Sequence, residues 1–392
     1  MSVDASCFDI VIAGGGMTGC VLAIAIAAQN RQYKIALIES HVHGSVSPAF
    51  DGRALALSDG TLQAFEQFKL KSVVQPYLHP IRNIHVSEKG HAARVHISAN
   101  EYGLQQLGAV MELASAGFQL QKQLALFPNI TLFCPDKIAS FEQQNGFVDI
   151  RLDSCKTLHT KLLVGAEGAY SSLQSVLGLP SETIDFKQTA MIATVYTEQT
   201  GRCIAWERFS QNGPLALLPL GENRYSLVWC HHPDSSVQMQ MLDDQKLICE
   251  LQNYFGSFAG RFIKIEGKAF YPLKLQNLLQ TTHHRIVLLG NAAHLLHPVA
   301  GQGFNLAMRD IITLASLCKT ATDPGTYDVL KRYRQMREQD QARTVWMTSS
   351  LASLFTGNNP LLLISRQLGL FCMNNIPQLK ARLVRQALGH TV

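Results

Sequence analysis

The fold of this chain is decided by the stretch Phe8-Asp-Ile-Val-Ile-Ala-Gly-Gly-Gly-Met-Thr-Gly19, which lies near the start of its 392 residues. The apolar run up to Ala13 is typical of a buried strand, and the segment from Met17 to Gln29, rich in Ala, Ile and Leu, predicts a helix. A second β-branched run extends from Tyr33 to Glu39. The order strand, glycine turn, helix, strand predicts a βαβ unit.

The glycines of this unit have the GxGxxG spacing of a dinucleotide-binding turn. Gly14 permits the tight turn, Gly16 lets a pyrophosphate approach the backbone at the helix N-terminus, and Gly19 allows close helix packing. Glu39 lies 20 residues beyond Gly19, where its carboxylate can accept hydrogen bonds from the adenosine ribose and disfavours a 2′-phosphate. These residues predict a bound NAD or FAD.

Two later segments combine glycines with strand-like runs. Lys161-Leu-Leu-Val-Gly165 leads into Gly165-Ala-Glu-Gly168, and Arg285-Ile-Val-Leu-Leu-Gly290 leads through a Gly/Pro-containing loop into a helix expected from about Gln302 to Lys319. Between them, residues 186 to 272 have the alternating pattern of a mainly antiparallel sheet. The end of the chain predicts amphipathic helices from Thr344 onwards, broken near Pro360 and Pro377.

These segments resemble the GADG and GDAAH…P…GQGxN motifs of the single-component FAD-dependent aromatic hydroxylases, the para-hydroxybenzoate hydroxylase class. Further segments are similar to the ubiquinone-biosynthesis branch of that class, and most of all to its 2-polyprenyl-6-methoxyphenol hydroxylases. They are Asp51-Gly-Arg53-Ala-Leu-Ala-Leu-Ser58, Pro214 to Pro219 and Leu227-Val-Trp-Cys-His231. The resemblance implies an α/β fold, with a Rossmann-like FAD-binding domain, an inserted mainly antiparallel β substrate domain and a helical C-terminus. We expect the FAD-binding domain at 1–72, 101–180 and 283–340, the substrate domain at 73–100 and 181–282, and the helical C-terminal segment at 341–392.

The resemblance also implies which residues bind FAD. Besides Gly14, Gly16, Gly19 and Glu39, it assigns to the cofactor Arg53, Glu167, Gly290, Asn291, Pro298, Gly301, Gln302, Gly303 and Asn305. Arg53 would lie over the flavin and the pyrophosphate, and a helix starting near Gln302 would direct its positive end at the flavin pyrimidine ring. Glu167 and Asn291 each stand where the class usually has Asp. Glu167 keeps the charge with a longer reach, and Asn291 keeps an acceptor oxygen without the charge, so FAD binding is still expected.

The implied activity is hydroxylation of the ring of a polyprenyl (methoxy)phenol in ubiquinone biosynthesis, through a flavin C4a-hydroperoxide formed with O2 after reduction by NADH or NADPH. The cofactor carries this chemistry, so no side-chain nucleophile is needed, and the sequence identifies no catalytic base. The apolar run from Leu215 to Leu218 would suit a floor for the polyprenyl tail. Two alternatives remain open: an FAD-dependent reductase or dehydrogenase of an isoprenoid, and a non-catalytic flavin-binding subunit of a biosynthetic complex.

Composition and missing motifs argue against several other classes of protein. Nine cysteines, an odd number without a CxxC pair, favour reduced thiols over a disulfide framework or a zinc knuckle. The neighbouring histidine pairs lack further ligands at metal spacing, so no metal is expected. There is no GxSxG elbow and no P-loop. Four aromatic residues of the β-rich middle are expected in its core: Trp206, Tyr225, Trp229 and Phe270.

The net charge of +5 lies entirely in the C-terminal segment. Residues 1–340 hold 29 basic and 29 acidic residues, whereas 341–392 hold no acid and five cations, Arg343, Arg366, Lys380, Arg382 and Arg385. A balanced body argues against nucleic-acid binding. The tail is expected either to contact anionic lipid or a substrate-delivering partner, or to pack as a helical cap on the body. With no secretory signal pattern at the N-terminus and no apolar run near ~18 residues, we expect a cytoplasmic protein, peripheral on the inner membrane if the tail binds lipid.

Overall fold

The computed structural model describes residues 6–42, 53–169, 171–210, 212–354 and 360–389, without the side chains of 360–365, 368 and 370. The strands are β1 (Ser6–Ala13), β2 (Ile35–Ile38), β3 (Ala54–Ser58), β4 (Leu78–Ile81), β5 (Asn83–Glu88), β6 (Arg94–Ser98), β7 (Gly108–Glu112), β8 (Ile130–Phe133), β9 (Ile138–Gln143), β10 (Val148–Leu152), β11 (Thr157–Gly165), β12 (Ser181–Thr197), β13 (Ile204–Phe209), β14 (Leu215–Pro219), β15 (Arg224–His231), β16 (Phe262–Leu278), β17 (Thr282–His283), β18 (Ile286–Leu288) and β19 (His294–Leu295). The helices are α1 (Met17–Gln29), α2 (Asp59–Gln67), α3 (Lys71–Val74), α4 (Leu113–Leu124), α5 (Ser172–Leu177), α6 (Pro233–Met241), α7 (Asp244–Phe255), α8 (Gln302–Thr320), α9 (Tyr327–Leu354), α10 (Pro360–Asn375) and α11 (Pro377–Ala387).

The first sheet contains the predicted βαβ unit, β1-α1-β2. Its strand order is β17-β18-β11-β1-β2-β8, and β10 and β9 extend from β11. The strands from β18 to β8 all run parallel. Buried apolar side chains of α1 and α8 pack in the same core as those of β1 and β2. Because the strands are parallel, the turns that follow them meet at one edge of the sheet.

The second sheet has the order β19-β16-β12-β15-β14-β13-β5-β6, and its pairs are antiparallel except for β13 with β5. Its long strands β12 and β16 pair over most of their length. A small third sheet, β3-β7-β4, makes up the remaining β-structure of the described residues. The segment before residue 100 therefore contributes to two sheets, since β5 and β6 join the second sheet whereas β4 pairs with β7 in the third.

One face of the second sheet packs against α7. Leu215 and Leu217 are fully buried there, so the expected polyprenyl floor at Leu215–Leu218 is wrong for these two side chains, which pack with residues of α7. A strand places successive side chains on opposite faces, and only alternate residues of that run can face a ligand. The four aromatic residues expected in the core do lie in or against this cluster: Trp206, Tyr225, Trp229 and Phe270.

The C-terminal helices break near Pro377 as the sequence predicts, since α10 ends at Asn375 and α11 begins at Pro377. The break predicted just before Pro360 falls at residues 355–359, which lie outside the described residues. The helix α9 begins at Tyr327, so the expected boundary at residue 341 falls inside a helix. The tail packs on the body through Val384 and Leu388, which contact the apolar side chains of β6. No helix of the described residues is long and apolar enough to cross a membrane.

Two tail cations are buried in ion pairs with acids of the body. Arg366 is 1% exposed, and its Nη1 lies 3.3 Å from Oε1 of Glu88. Lys380 is 9% exposed, and its Nζ lies 2.5 Å from Oε2 of Glu101. The expectation that both cations face lipid is therefore wrong, because a count of charges along the chain cannot reveal tertiary partners.

Candidate active site

The glycine turns after three parallel strands meet at one edge of the first sheet. β18, β11 and β1 are neighbours, and their ends bring Gly290, Glu167 and Gly14 together. Gly14 has φ +104°, and a Cβ atom there would lie 2.4 Å from the carbonyl oxygen of Ala166. Gly290 has φ +60°, and its Cβ would lie 2.8 Å from Oγ1 of Thr18 on α1. The predicted motifs thus form one continuous backbone surface that has no room for larger residues at these two positions.

The N-terminus of α1 is open to a ligand. Gly16 is the N-cap residue, no side chain caps the helix, and no acid lies in its first turn. A Cβ atom at Gly19 would lie 1.8 Å from the carbonyl oxygen of Gly14, so the helix can approach the turn only with glycine here. A helix N-terminus attracts anions, which suits the predicted pyrophosphate.

Glu39 lies directly after β2 and is buried beside this turn. Its Oε2 accepts the N–H of Gly15 at 2.7 Å, and its Oε1 accepts the N–H of His41 at 2.8 Å. Oε1 also accepts the hydroxyl of Ser40 at 3.3 Å and lies 3.1 Å from Nδ1 of His41. A carboxylate can accept about four hydrogen bonds, so a ribose hydroxyl would replace one of the longer contacts on Oε1. The ribose contact itself stays a prediction.

Glu167 uses its carboxylate within the protein. Oε2 accepts the hydroxyl of Ser171 at 2.7 Å and the N–H of Leu173 at 3.3 Å, and Oε1 accepts the hydroxyl of Ser172 at 2.8 Å. These bonds hold the acid at the start of α5. The longer side chain of Glu, compared with the Asp usual in the class, therefore reaches the helix that follows.

The loop before α8 carries the second group of predicted cofactor residues. Asn291 and Pro298 are exposed. Gly301 has φ +59°, and a Cβ atom there would lie 2.8 Å from Cβ of Ala56, whereas a Cβ at Gly303 would meet no atom within 4 Å. The space over Gly303 is what a flat ring lying against the backbone would require.

Asn305 fastens this loop to β3 and α2. Its Oδ1 accepts the N–H of Ser58 at 2.9 Å and the hydroxyl of Thr61 at 2.8 Å. Its Nδ2 donates to the carbonyl oxygens of Ala56 at 2.9 Å and Gly301 at 2.8 Å. An amide side chain has two donors and two lone pairs, and all four are used, so a direct bond to the cofactor would break one of them.

Gln302 and Arg53 complete the predicted set. Gln302 is buried, and its amide nitrogen donates to the carbonyl oxygen of Ala300 at 3.2 Å. The Arg53 guanidinium carbon lies 5.6 Å from the ring centroid of Tyr271 on β16, so this cation, just before β3 of the third sheet, contacts the second sheet. The two residues that precede it in its motif, 51 and 52, lie outside the described residues.

The histidines near this loop make hydrogen bonds within the protein. Nδ1 of His297 accepts the N–H of Val299 at 3.1 Å, and its other ring nitrogen lies 3.2 Å from Oε1 of Gln188. Burial lowers the pKa of His297 to about 4, so it is neutral. His294 bonds instead to Asn277. Within the described part of the chain, no three His, Cys, Asp or Glu side chains cluster as metal ligands would.

Sequence reasoning missed an acid on the second sheet. Glu207 lies on β13 between Ala205 and Phe209, and Phe209 shares a buried cluster with Val299 of the loop before α8. Side chains two apart on a strand share a face, so Glu207 points toward that loop and away from α7. The available signal was an acid, followed by Arg208, within the otherwise apolar residues 204–209.

The residues present fit FAD. The N-termini of α1 and α8 both lack a side-chain cap and an acid in the first turn. Gly14 allows the tight turn before α1, and the backbone at Gly303 has open space that a ligand could approach. The first terminus suits a pyrophosphate, and the second suits the electron-rich end of a flavin ring.

Comparison with known proteins agrees with this fit. A family model described as FAD binding domain matches residues 8–348. Ubiquinone hydroxylase UbiL of Rhodospirillum rubrum is 29% identical, over 97% of this chain and 89% of its own length. The 3-demethoxyubiquinol 3-hydroxylase of Escherichia coli is 30% identical, over 97% of this chain and 98% of its own length.

Among solved structures, p-nitrophenol 4-monooxygenase PnpA from Pseudomonas putida superposes with a TM-score of 0.81 at 15% identity, over 99% of this chain and 100% of the other. This likeness confirms the predicted fold class. The chain belongs to the FAD binding domain family and, within it, to the FAD-dependent aromatic monooxygenases of the ubiquinone-biosynthesis hydroxylase group.

Proposed function

We propose that this chain hydroxylates the ring of a polyprenyl (methoxy)phenol in ubiquinone biosynthesis, with FAD as cofactor and NADH or NADPH as transient reductant. Two relatives support this proposal by their names, ubiquinone hydroxylase UbiL and 3-demethoxyubiquinol 3-hydroxylase, and only the second name gives a ring position. The 2-polyprenyl-6-methoxyphenol hydroxylases remain our specific choice, on the segments quoted from the sequence.

The observation that carries this proposal is the difference between the two faces of the second sheet. The side chains toward α7, such as Leu215 and Leu217, are fully buried. Those on the opposite face, such as Ala216 and Val228, are apolar yet partly accessible. An apolar surface that remains accessible inside the protein suits an aromatic, hydrophobic substrate.

FAD, when bound, supplies the activation of O2 for ring hydroxylation. Gly14, Gly16 and Gly19 would hold its pyrophosphate, Glu39 its ribose, and the backbone around Gly303 its ring. The apolar face of the second sheet orients the substrate ring and excludes water from the reacting atoms.

The test uses purified protein loaded with FAD. We expect a flavin spectrum, together with NADH or NADPH oxidation and O2 uptake that increase when a methoxyphenol with a short prenyl chain is added, and a product heavier by one oxygen atom. Substrate-dependent flavin reduction without that product would support the isoprenoid reductase or dehydrogenase instead. Protein that stays colourless with added FAD would favour the non-catalytic subunit.

We also propose that the exposed side of α10 and α11 contacts an anionic lipid surface that holds the polyprenyl substrate. Phe371, Ile376 and Leu379 are large apolar side chains exposed there, and Arg382 and Arg385 are exposed cations. Such a combination matches the interface of an anionic bilayer. Each cation contributes about 1 kcal/mol near such a surface, so replacing both Arg382 and Arg385 with Gln should weaken liposome binding about 30-fold. Equal flotation of the variant and the unaltered protein with anionic liposomes would refute this contact.

A further inference from the structure

We infer that Glu207 accepts the proton of the substrate's phenolic hydroxyl. This inference rests on the proposed function, and it assigns a catalytic role to a residue for which the sequence offered no role. Glu207 would touch the substrate directly, and the arrangement around β13 carries the argument.

The orientation of Glu207 follows from its neighbours. Trp206, the preceding residue, packs edge-on against Phe255 of α7, with ring centroids 5.9 Å apart. Glu207 therefore points to the other side of the sheet. Its partners across the ladder are Ala216 on β14 and Val86 on β5, so small apolar side chains flank the carboxylate.

The same face turns toward the cofactor loop. Ala205 packs with Val110 of the third sheet, and Phe209 packs with Val299, which lies two residues before Gly301. Glu207 sits between Ala205 and Phe209, yet unlike them it remains partly accessible. Its carboxylate therefore lies on the side of the sheet that faces the loop expected against the flavin.

The carboxylate has no hydrogen-bond or ion-pair partner among the described residues. Burial is the cause that raises the pKa of Glu207 to about 8. An acid placed inside a protein without any partner is costly unless a ligand supplies one. A phenolic hydroxyl is a donor of the right kind.

The titratable groups around this face leave Glu207 as its proton acceptor. Burial raises the pKa of Cys230 on β15, so its thiol keeps its proton, and lowers that of His297 to about 4, so its imidazole is a much weaker base than the Glu207 carboxylate. Tyr271 on β16 shares the face by register, and the cation of Arg53 lies against its ring. Arg208 and His85 belong to the opposite face, with Trp206.

The proton transfer balances within the site. The O–H bond of the phenol breaks, an O–H bond forms on the Glu207 carboxylate, and the negative charge passes to the phenolate oxygen. Electron density then rises at the ring carbons ortho and para to that oxygen, which favours attack on an electrophilic oxygen donor. A carboxylate with a raised pKa is a better match to a phenol, whose pKa is about 10, than an ordinary carboxylate is.

The test compares Glu207→Gln with the unaltered protein, both loaded with FAD, on a prenylated methoxyphenol. Glu266→Gln is the matched control, since Glu266 is an exposed acid of the same sheet, paired with Lys264. We expect the unaltered protein's kcat/KM for hydroxylated product to rise with pH through about 8, as Glu207 loses its own proton and can accept that of the phenol. Glu207→Gln should lose about 100-fold or more at pH 8, where the carboxylate of the unaltered protein is ionised. Product formation by Glu207→Gln should recover as the pH approaches the pKa of the free phenol, because the solution then supplies the phenolate.

A second readout does not depend on turnover. The ultraviolet difference spectrum of the bound phenol should show the phenolate band near pH 8 in the unaltered protein and in Glu266→Gln, but not in Glu207→Gln. FAD content and thermal unfolding report whether each variant folds, and Glu207→Asp, which keeps the carboxylate, should restore part of the rate. If the unaltered protein forms product and Glu207→Gln keeps its rate and pH profile, Glu207 has no such role. If the unaltered protein hydroxylates no methoxyphenol, the proposed function fails, and this inference fails with it.

Discussion

Replacing Arg366 with Met should loosen the two C-terminal helices from the body. The Arg366 guanidinium lies between Glu88 of β5, 3.3 Å away, and the carbonyl oxygen of Leu354 at the end of α9. Glu88 is only 3% exposed and has one further side-chain partner, the amide of Gln367. Removing the cation leaves a buried carboxylate with a single neutral donor.

Breaking a buried pair by removing one partner costs about 3–5 kcal/mol. The helices stay attached through Val384 and Leu388, which pack on β6, so the loss should appear as local opening before global unfolding. Each 1.4 kcal/mol is tenfold in an equilibrium, so amide hydrogen exchange in α10 and α11 should accelerate about 100-fold or more. The parallel sheet should keep its protection.

Hydrogen exchange followed by mass spectrometry measures this directly. Arg385→Met is the matched control, because Arg385 is exposed and its loss should change stability by less than about 0.5 kcal/mol. Adding Glu88→Gln to Arg366→Met should recover much of the protection, since the uncompensated charge is then gone. Unchanged exchange in Arg366→Met, or no recovery in the double variant, would refute the ion pair as the anchor of the tail.

Three other outcomes are expected. Gly19→Ala places a methyl group 1.8 Å from the carbonyl oxygen of Gly14, so FAD affinity in a fluorescence titration should fall at least about tenfold; an unchanged affinity would mean that the turn does not bind the cofactor. Arg337→Met leaves Asp310, 0% exposed and 2.6 Å from the lost guanidinium, without its cation, and should cost about 3–5 kcal/mol in urea unfolding. Because burial raises the pKa of Glu207 to about 8, the folded state holds a proton there that the unfolded chain releases at lower pH, so stability falls as pH rises from about 5 to 8. Glu207→Gln should remove this fall, by up to about 1.4 kcal/mol per pH unit, and parallel melting curves of the two proteins across that range would contradict it.

The parts of the site that sequence predicts best depend on neighbours close along the chain. The helix predicted at Met17 to Gln29 has those bounds in the structure, and the glycines of the first turn are required by contacts within a few residues. Gly14 also needs Ala166, from a strand far along the chain. The parallel topology supplies that contact, and a βαβ pattern already implies such a topology.

The parts that sequence could not predict depend on pairs of residues far apart. Asn305 binds Ser58, 247 positions away, and no pattern within either segment shows that bond. Glu167 reaches Ser171 and Ser172 only because α5 begins there. In each case the residue type indicated a polar role in the site, whereas tertiary packing determined the hydrogen-bond partner.

Because α9 contacts both β13 and the first tail helix, a deletion of the tail cannot test lipid binding by itself. Ala352, near the end of α9, shares a cluster with Phe209 of β13 and Val299 of the cofactor loop. Arg366 binds the carbonyl oxygen of Leu354, so the first tail helix is fastened to the same end of α9. Deleting the chain from Pro360 onward would expose Glu88 and disturb packing two residues from Glu207, and it would lower catalysis and lipid binding together.

Point substitutions on the exposed side of α11 can separate lipid binding from catalysis. Arg382 and Arg385 lie on the exposed side of α11, opposite the buried Lys380 and Val384. Their loss should therefore reduce liposome binding while turnover of a water-soluble, short-chain phenol stays unchanged. A substrate with a full polyprenyl chain presented in vesicles should then react more slowly with the variant, because delivery from the bilayer would limit its turnover whereas the chemistry at Glu207 would not.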